Sequence, residues 1–263
     1  FILFGSGLVQ EAHRRWFEIR LPEKGVSYAN RSDDYHGVAI SGPKSRELLK
    51  RITRDDVTSE SFRFRDVRQT YVCNIPAIII RMSFSGELGY EIYCKPHYLI
   101  KLAENIEEAG KDLRFLWFGA RALLSMRLEK QWGVWTMDFR PDFTAAESGL
   151  DVFIDWNKDF IGKEAAEREK RNGTKKILVT LTIESEEIDV SNDEAILKNN
   201  RPIGYVSSGG YAHYVKKSLA LGYVQTEHSK PGTKVQVEIL GDIYDAEVQD
   251  KPLYDPDGSR MRE

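Results

Sequence analysis

Cysteine is nearly missing from this sequence, with only Cys73 and Cys94 among 263 residues. Neither belongs to a Cys-x-x-Cys pair and each falls in an expected strand, so a disulfide framework is excluded. Two buried free thiols in a reducing compartment are expected instead. A surplus of one charge is missing too: 38 Lys and Arg nearly offset 41 Asp and Glu, for a formal net charge of −3. No basic footprint for nucleic acid results. No apolar run is long enough to cross a bilayer, and the chain reads as soluble. His13, His36, His97, His213 and His228 are scattered without metal-ligand spacing, so no metal is assigned. No Gly-x-Ser-x-Gly or Cys/His constellation argues for a covalent nucleophile.

What is present is enough chain for one large domain or two ordinary ones. Phe1-Ile2-Leu3-Phe4-Gly5 reads as a strand entered midway, not as a signal peptide, and so as the start of a fragment. Val9 to Leu21 has helical spacing. Gly37 to Ser41 is a short apolar strand, and Gly42 to Leu49 opens a helix with Ser41 as candidate cap and Pro43 in the first turn. The Gly-Pro turn there reads as structural. Val67 to Asn74 and Ala77 to Met82 are expected as antiparallel strands around an Ile75-Pro76 turn. Tyr90 to Cys94 follows as a strand and Pro96 to Ala109 as a helix with Leu99, Leu102, Ile106 and Ala109 on one face.

Gln131 to Gly149 lacks periodicity and carries Trp132, Trp135, Phe139 and Phe143. Long loops of this kind often serve as lids, although loop aromatics also pack on the core. Phe153 to Phe160 is expected as a short strand and turn. Gly162 to Arg171 is a charged helix whose alternating signs mark a solvated face. Asn172-Gly173 is the expected boundary. Beyond it come strands only: 176–183, 194–198, 203–207, 220–224, 234–240 and 244–249. Asn199-Asn200, Ser208-Gly209-Gly210, Lys230-Pro231-Gly232 and Gly241-Asp242 separate them, which predicts a small antiparallel barrel or sandwich. The expected class is therefore α+β, with mixed helix-and-strand lobes over 1–172 and a small antiparallel β-barrel over 173–263.

Between strands, Ser83 to Tyr93 reads Ser-Phe-Ser-Gly-Glu-Leu-Gly-Tyr-Glu-Ile-Tyr. It resembles the Tyr-Thr-Gly-Glu-x-Gly-x-Glu turn of the glycine-cleavage T-protein family of folate-binding aminomethyltransferases. Gly119 to Lys130, Gly-Ala-Arg-Ala-Leu-Leu-Ser-Met-Arg-Leu-Glu-Lys, is similar to the same family's Ala-Arg-Asp-x-Leu-Arg-Leu-Glu helix. Ala146 to Leu150, Asp159 to Glu164, Ile203 to Gly209 and Leu221 to Val224 continue the likeness in order. Pro252-Leu253-Tyr254-Asp255-Pro256, with Met261-Arg262, most resembles the branch forming the C-terminal part of dimethylglycine and sarcosine dehydrogenases, where a flavin domain precedes.

The resemblance implies tetrahydrofolate as cofactor and transfer of a one-carbon unit from an iminium or aminomethyl donor, giving 5,10-methylenetetrahydrofolate. It also implies an attached N-terminal flavin domain carrying FAD, and a cytoplasmic or mitochondrial matrix location. Glu91 matches the carboxylate that grips the pterin and Arg121 the helix arginine of the same site. Phe84 stands where the family usually has tyrosine, and the lost hydroxyl removes one hydrogen bond worth ~1 kcal/mol. Tyr254, Trp132 and Trp135 are candidates to stack on the cofactor. The family's aspartate acid/base lies in a stretch preceding the matched region, so no catalytic residue is named, and Asp33, Asp138 and Asp151 are not put in its place.

Side-chain chemistry agrees with part of this. An ionised carboxylate accepts two in-plane hydrogen bonds from the adjacent N–H and amino group of a pterin. Strand alternation puts Leu88, Tyr90, Ile92 and Cys94 on one face, and Gly89, Glu91 and Tyr93 on the other. Arg121 sits at a helix N-terminus, where a cation opposes the dipole, so a partner acid is expected, with Glu91 the candidate. Arg127 points elsewhere around the helix and is expected in a structural ion pair. Two other readings stand beside the first: a folate-dependent S- or O-demethylase, and a non-catalytic relative in which Glu91 and Arg121 pair across a filled cavity.

Overall fold

The computed structural model describes residues 1–263. Packing divides them into one unit of Phe1–Leu123 with Asp257–Glu263 and a second of Leu124–Pro256. The division falls inside a helix.

The first unit is built on strands β1 (His36–Ser41), β2 (Val67–Val72), β3 (Ile75–Ile80) and β4 (Gly89–Cys94). They form an antiparallel sheet in the order β1-β4-β3-β2. Helices α1 (Gln10–Arg20), α2 (Ser45–Ile52) and α3 (Leu99–Gly110) complete it. Period-two alternation decides the core: Tyr90, Ile92 and Cys94 are fully buried on one face of β4, packed in one cluster with Leu49, Leu102 and Ile106. Each such side chain contributes about 1.5–3 kcal/mol on burial.

Three expectations need correction here. Phe1 to Gly5 is not a strand: no strand pairs with it, and Phe1, Ile2, Leu3 and Phe4 remain exposed. The β2–β3 turn is Cys73-Asn74, both left-handed at φ 52° and 62°, the pair of conformations a two-residue hairpin needs. Pro76 therefore lies inside β3, where it is tolerated because β4 pairs only from Ala77 onward. Ser41 is not a helix cap but the last residue of β1. The chain turns through Gly42 at φ 127° before α2 starts at Ser45, behind Lys44.

Residues 257–263 return to the first unit. The guanidiniums of Arg46 and Arg81 both donate to the main-chain oxygen of Glu263, and Arg81 also donates to Phe62 O at 2.7 Å. Arg260 pairs with Glu87 at 3.3 Å.

The second unit holds the C-terminal part of α4 (Ala120–Glu129), then α5 (Lys163–Asn172). Six strands follow: β5 (Lys176–Ile183), β6 (Ala195–Lys198), β7 (Arg201–Ala212), β8 (Lys217–Gln225), β9 (Lys234–Ile239) and β10 (Asp242–Gln249). They close into an antiparallel barrel in the order β10-β5-β8-β7-β6-β9, which removes both sheet edges. Asn199-Asn200 and Leu240-Gly241 close two of the hairpins with paired positive φ values.

Phe153 to Phe160, expected as a strand, instead follows a short 3-10 turn at Asp151–Phe153 and has no strand partner. Ser208-Gly209-Gly210, expected as a turn, lies within β7. Val206 pairs with Gly222 and Ser208 with Leu221, so Ser207 is the extra residue of a bulge. Gly204 shows how closely β7 and β8 approach: a Cβ there would sit 1.9 Å from Tyr223 O. Since backbone cannot yield as a flexible side chain can, Gly204→Ala is expected to destabilise by about 3 kcal/mol, the upper end of overpacking effects. The shift of a urea unfolding midpoint checks this.

Candidate functional site

Three segments of the first unit line an open cavity of about 740 Å³, within the ~300–1,000 Å³ typical of small-molecule sites. One is the end of β1 with the turn into α2. The second is the turn Ser83–Ser85, and the third is the connection from Leu113 to Ala120. Glu91 is the acid on its wall. Aromatic and aliphatic groups make up most of the rest, among them Phe84, Phe115, Leu116, Trp117 and Phe118. The aromatic connection is tied down where the Trp117 indole donates to Glu107 Oε2 of α3 at 3.0 Å.

Glu91 is placed by strand parity. It projects from the face of β4 opposite the core, paired across to Ala39 of β1 and Ile80 of β3. Tyr93, two residues on and so on the same face, donates its hydroxyl to Glu91 Oε2 at 2.6 Å. Oε1 accepts no hydrogen bond from the protein. Burial, and then the hydrogen bond to Glu91, push the Tyr93 phenol well above its ordinary value, so it stays a donor. Space for its ring is kept by Gly37, whose Cβ would lie 2.8 Å from it, and Phe4 packs on it at 4.9 Å between centroids.

The structure does not pair Glu91 with Arg121, which corrects the expectation of an ion pair between them. Arg121 lies exposed in the first turn of α4, beside Ala120 of the cavity rim, and makes no ion pair. Phe84 does line the cavity. Tyr254 belongs to the second unit, 5% exposed, with its ring edge-on to Tyr214 at 4.8 Å.

The aromatic loop 131–149 packs on its own unit: Phe143 stacks on Tyr223 at 3.5 Å between centroids. Arg127 forms the expected structural ion pair, with Asp138 at 3.0 Å, both fully buried.

Sequence reasoning passed over several cavity residues. Arg114, left-handed at φ 63°, and Lys44 add positive charge to the lining. Ser41 and Ser85 also line it, their hydroxyls in direct contact with each other. The run Phe115-Leu116-Trp117-Phe118, three aromatics in four residues outside any periodic element, was a usable signal for the third wall.

Comparison with known proteins then decides the family. Residues 1–158 match the GCVT N-terminal domain, and residues 176–255 match the glycine cleavage T-protein C-terminal barrel domain. The chain belongs to the glycine cleavage T-protein family. Its relatives in that family include human (Homo sapiens) mitochondrial dimethylglycine dehydrogenase, 35% identical over 99% of this chain and 30% of that protein. The aminomethyltransferase of Natranaerobius thermophilus is 31% identical over 97% of this chain and 69% of that protein. The 4-methylaminobutanoate oxidase (formaldehyde-forming) of Paenarthrobacter nicotinovorans is 31% identical over 86% of this chain and 27% of that one. This T-protein family chain thus spans about 30% of the dimethylglycine dehydrogenase it resembles.

The fold agrees with the family. The crystal structure of glycine cleavage system aminomethyltransferase T from Bartonella henselae superposes with a TM-score of 0.82, at 23% identity, over 94% of this chain and 67% of that one.

Proposed function

We propose that this chain is a tetrahydrofolate-dependent one-carbon transferase module, taking a methylene group from an iminium or aminomethyl donor to give 5,10-methylenetetrahydrofolate. The observation that carries the reading is Glu91: a carboxylate fixed through one oxygen by Tyr93, its other oxygen free, on the wall of a largely apolar cavity of about 740 Å³. The residues fit a pterin. A fixed carboxylate meets two adjacent donors in one plane, and the flat aromatic wall from Phe115 to Phe118, with Phe84, suits the faces of a ring.

When bound, tetrahydrofolate would supply the pterin ring nitrogen and the neighbouring bridge nitrogen that accept the one-carbon unit. The chain's own residues bind, orient and exclude water. Positioning of this kind contributes up to roughly 7–11 kcal/mol in favourable cases, and keeping water out matters because hydrolysis of the donor releases formaldehyde. Arg114 and Lys44 at the cavity, with Arg121 exposed beside its rim, offer positive charge to the acidic tail of a folate. Arg121 and Tyr254 enter the reading through the family motif, Phe84 through both motif and cavity.

The relatives' names, mitochondrial dimethylglycine dehydrogenase among them, support a place in an amine-oxidising polypeptide, while the attached flavin domain with FAD and a matrix or cytoplasmic setting enter the reading through the motif resemblance. A non-catalytic relative would have Glu91 and Arg121 paired across filled space. Glu91 is bound to Tyr93 beside an open cavity instead.

Calorimetric titration of the intact chain with tetrahydrofolate is expected to give a saturable heat for one site. Absence of saturable binding by the intact chain would overturn the proposal.

A further inference from the structure

Glu91 can only accept hydrogen bonds, yet the cavity also holds a hydroxyl pair placed to donate. We propose that Ser41 and Ser85 form a second, specificity-determining contact, donating one hydrogen bond to a carbonyl that adjoins the edge held by Glu91. The inference deepens the tetrahydrofolate reading and rests on it.

Register brings the groups together. In the β1–β4 ladder Ala39 lies opposite Glu91 and Ser41 opposite Gly89. The period of two puts Ser41 on the same face as Glu91, as its diagonal neighbour, roughly 7–8 Å away along the backbone. The position directly across from Ser41 has no side chain because backbone packs over it: a Cβ on Gly89 would press on Met82 O at 2.9 Å.

Proton counting supplies the donor. Ser85 Oγ accepts the Glu87 N–H at 3.3 Å and lies against Ser41 Oγ. Two hydroxyls carry two protons, and only one can lie between their oxygens. The other has no protein acceptor whichever way the pair is turned. Both serines line the cavity, so one O–H is left to a ligand there.

A pterin matches this order. Its amino group, ring N–H and 4-carbonyl follow one another along one edge. A carboxylate takes the first two, and the carbonyl next to them needs a donor. Phe84, without the hydroxyl of the family's usual tyrosine, cannot be that donor, whereas the serine pair can.

The test is isotope-edited infrared spectroscopy of tetrahydrofolate labelled with carbon-13 at the 4-carbonyl, bound to the intact chain. A hydrogen-bonded carbonyl absorbs at or below its frequency in water, while a bare carbonyl in an apolar cavity absorbs above it. The wild-type frequency is expected at or below the water value, and one above it overturns the proposal without any variant. Ser41→Ala with Ser85→Ala is expected to raise the frequency and weaken binding about tenfold, the loss of one hydrogen bond. Ser41→Thr with Ser85→Ala keeps one hydroxyl and is expected to restore the lower frequency, which a merely structural role would not do. If tetrahydrofolate binds and Glu91→Ala weakens it while the serine variants leave the frequency unmoved, the serine contact alone falls. If the wild type binds no tetrahydrofolate, the functional reading falls first.

Discussion

Glu91→Ala is expected to weaken tetrahydrofolate binding by at least about a hundredfold, measured by calorimetry on the intact chain. Hydrogen bonds to a charged acceptor are worth about 1.5–3 kcal/mol each, and a pterin edge makes two of them. Even at the low end, about 3 kcal/mol exceeds a hundredfold in affinity. Glu91→Gln sharpens the test. It keeps the volume and one acceptor but turns an amide N–H toward a ligand donor, so most of the loss persists. The fold is expected to survive both changes, because Glu91 sits half-buried on the face of β4 away from the core. Wild-type affinity in Glu91→Gln would mean that charge is not what holds the ligand.

The placement of Glu91 was legible because it needs only local pattern, whereas its role came from the motif resemblance. Tyr90, Ile92 and Cys94 are apolar at every second position of one strand, and their 0% exposure follows from that parity, with Glu91 left on the other face. The barrel was legible for a similar reason. Its strands are short alternating runs punctuated by residues such as Asn199-Asn200 that tolerate positive φ.

What local pattern hides is pairing between distant segments. Ser41 neighbours Glu91 only because β1 pairs with β4, across more than forty intervening residues, and the strand-end serine taken alone resembles a helix cap. The Ser207 bulge is hidden too, since Ser-Ser-Gly-Gly has turn composition and only the β7–β8 register makes it strand.

The Arg121 inference failed on magnitude. A cation at an exposed helix N-terminus loses only about 0.3–1 kcal/mol to the dipole, and solvent screens that, so no partner acid is required. The functional reading consequently rests on Glu91 and the cavity around it, not on a carboxylate–guanidinium pair.

Asp138→Ala is expected to cost about 3–5 kcal/mol of stability, the range for breaking a buried ion pair from one side, read from the urea unfolding midpoint. Asp138 is 0% exposed and Arg127 1%. Asp138 Oδ2 accepts from Arg127 Nη1 at 3.0 Å and from the Val134 N–H at 2.8 Å, while Oδ1 accepts from Ser207 at 2.5 Å and Ser208 at 2.6 Å. Consecutive strand residues ordinarily face opposite ways. The bulge at Ser207 is what lets both hydroxyls reach one oxygen.

Burial pushes the Arg127 guanidinium down from its ordinary value, with Asp138 opposing that shift. Arginine nevertheless keeps its proton in proteins, so removing the acid leaves a buried cation with only Trp132 O, at 3.0 Å, as acceptor. Arg127→Met with Asp138→Leu separates the terms. Replacing a buried pair by apolar residues is often neutral or better, but here the Ser208 hydroxyl and the Val134 N–H would lose their acceptor at about 1–3 kcal/mol each, while Ser207 keeps Leu221 O at 3.2 Å. The double variant is therefore expected to stay below wild type, and recovery to wild-type stability would show that the cost of Asp138→Ala comes from the stranded cation alone and not from the hydroxyl network that the bulge assembles.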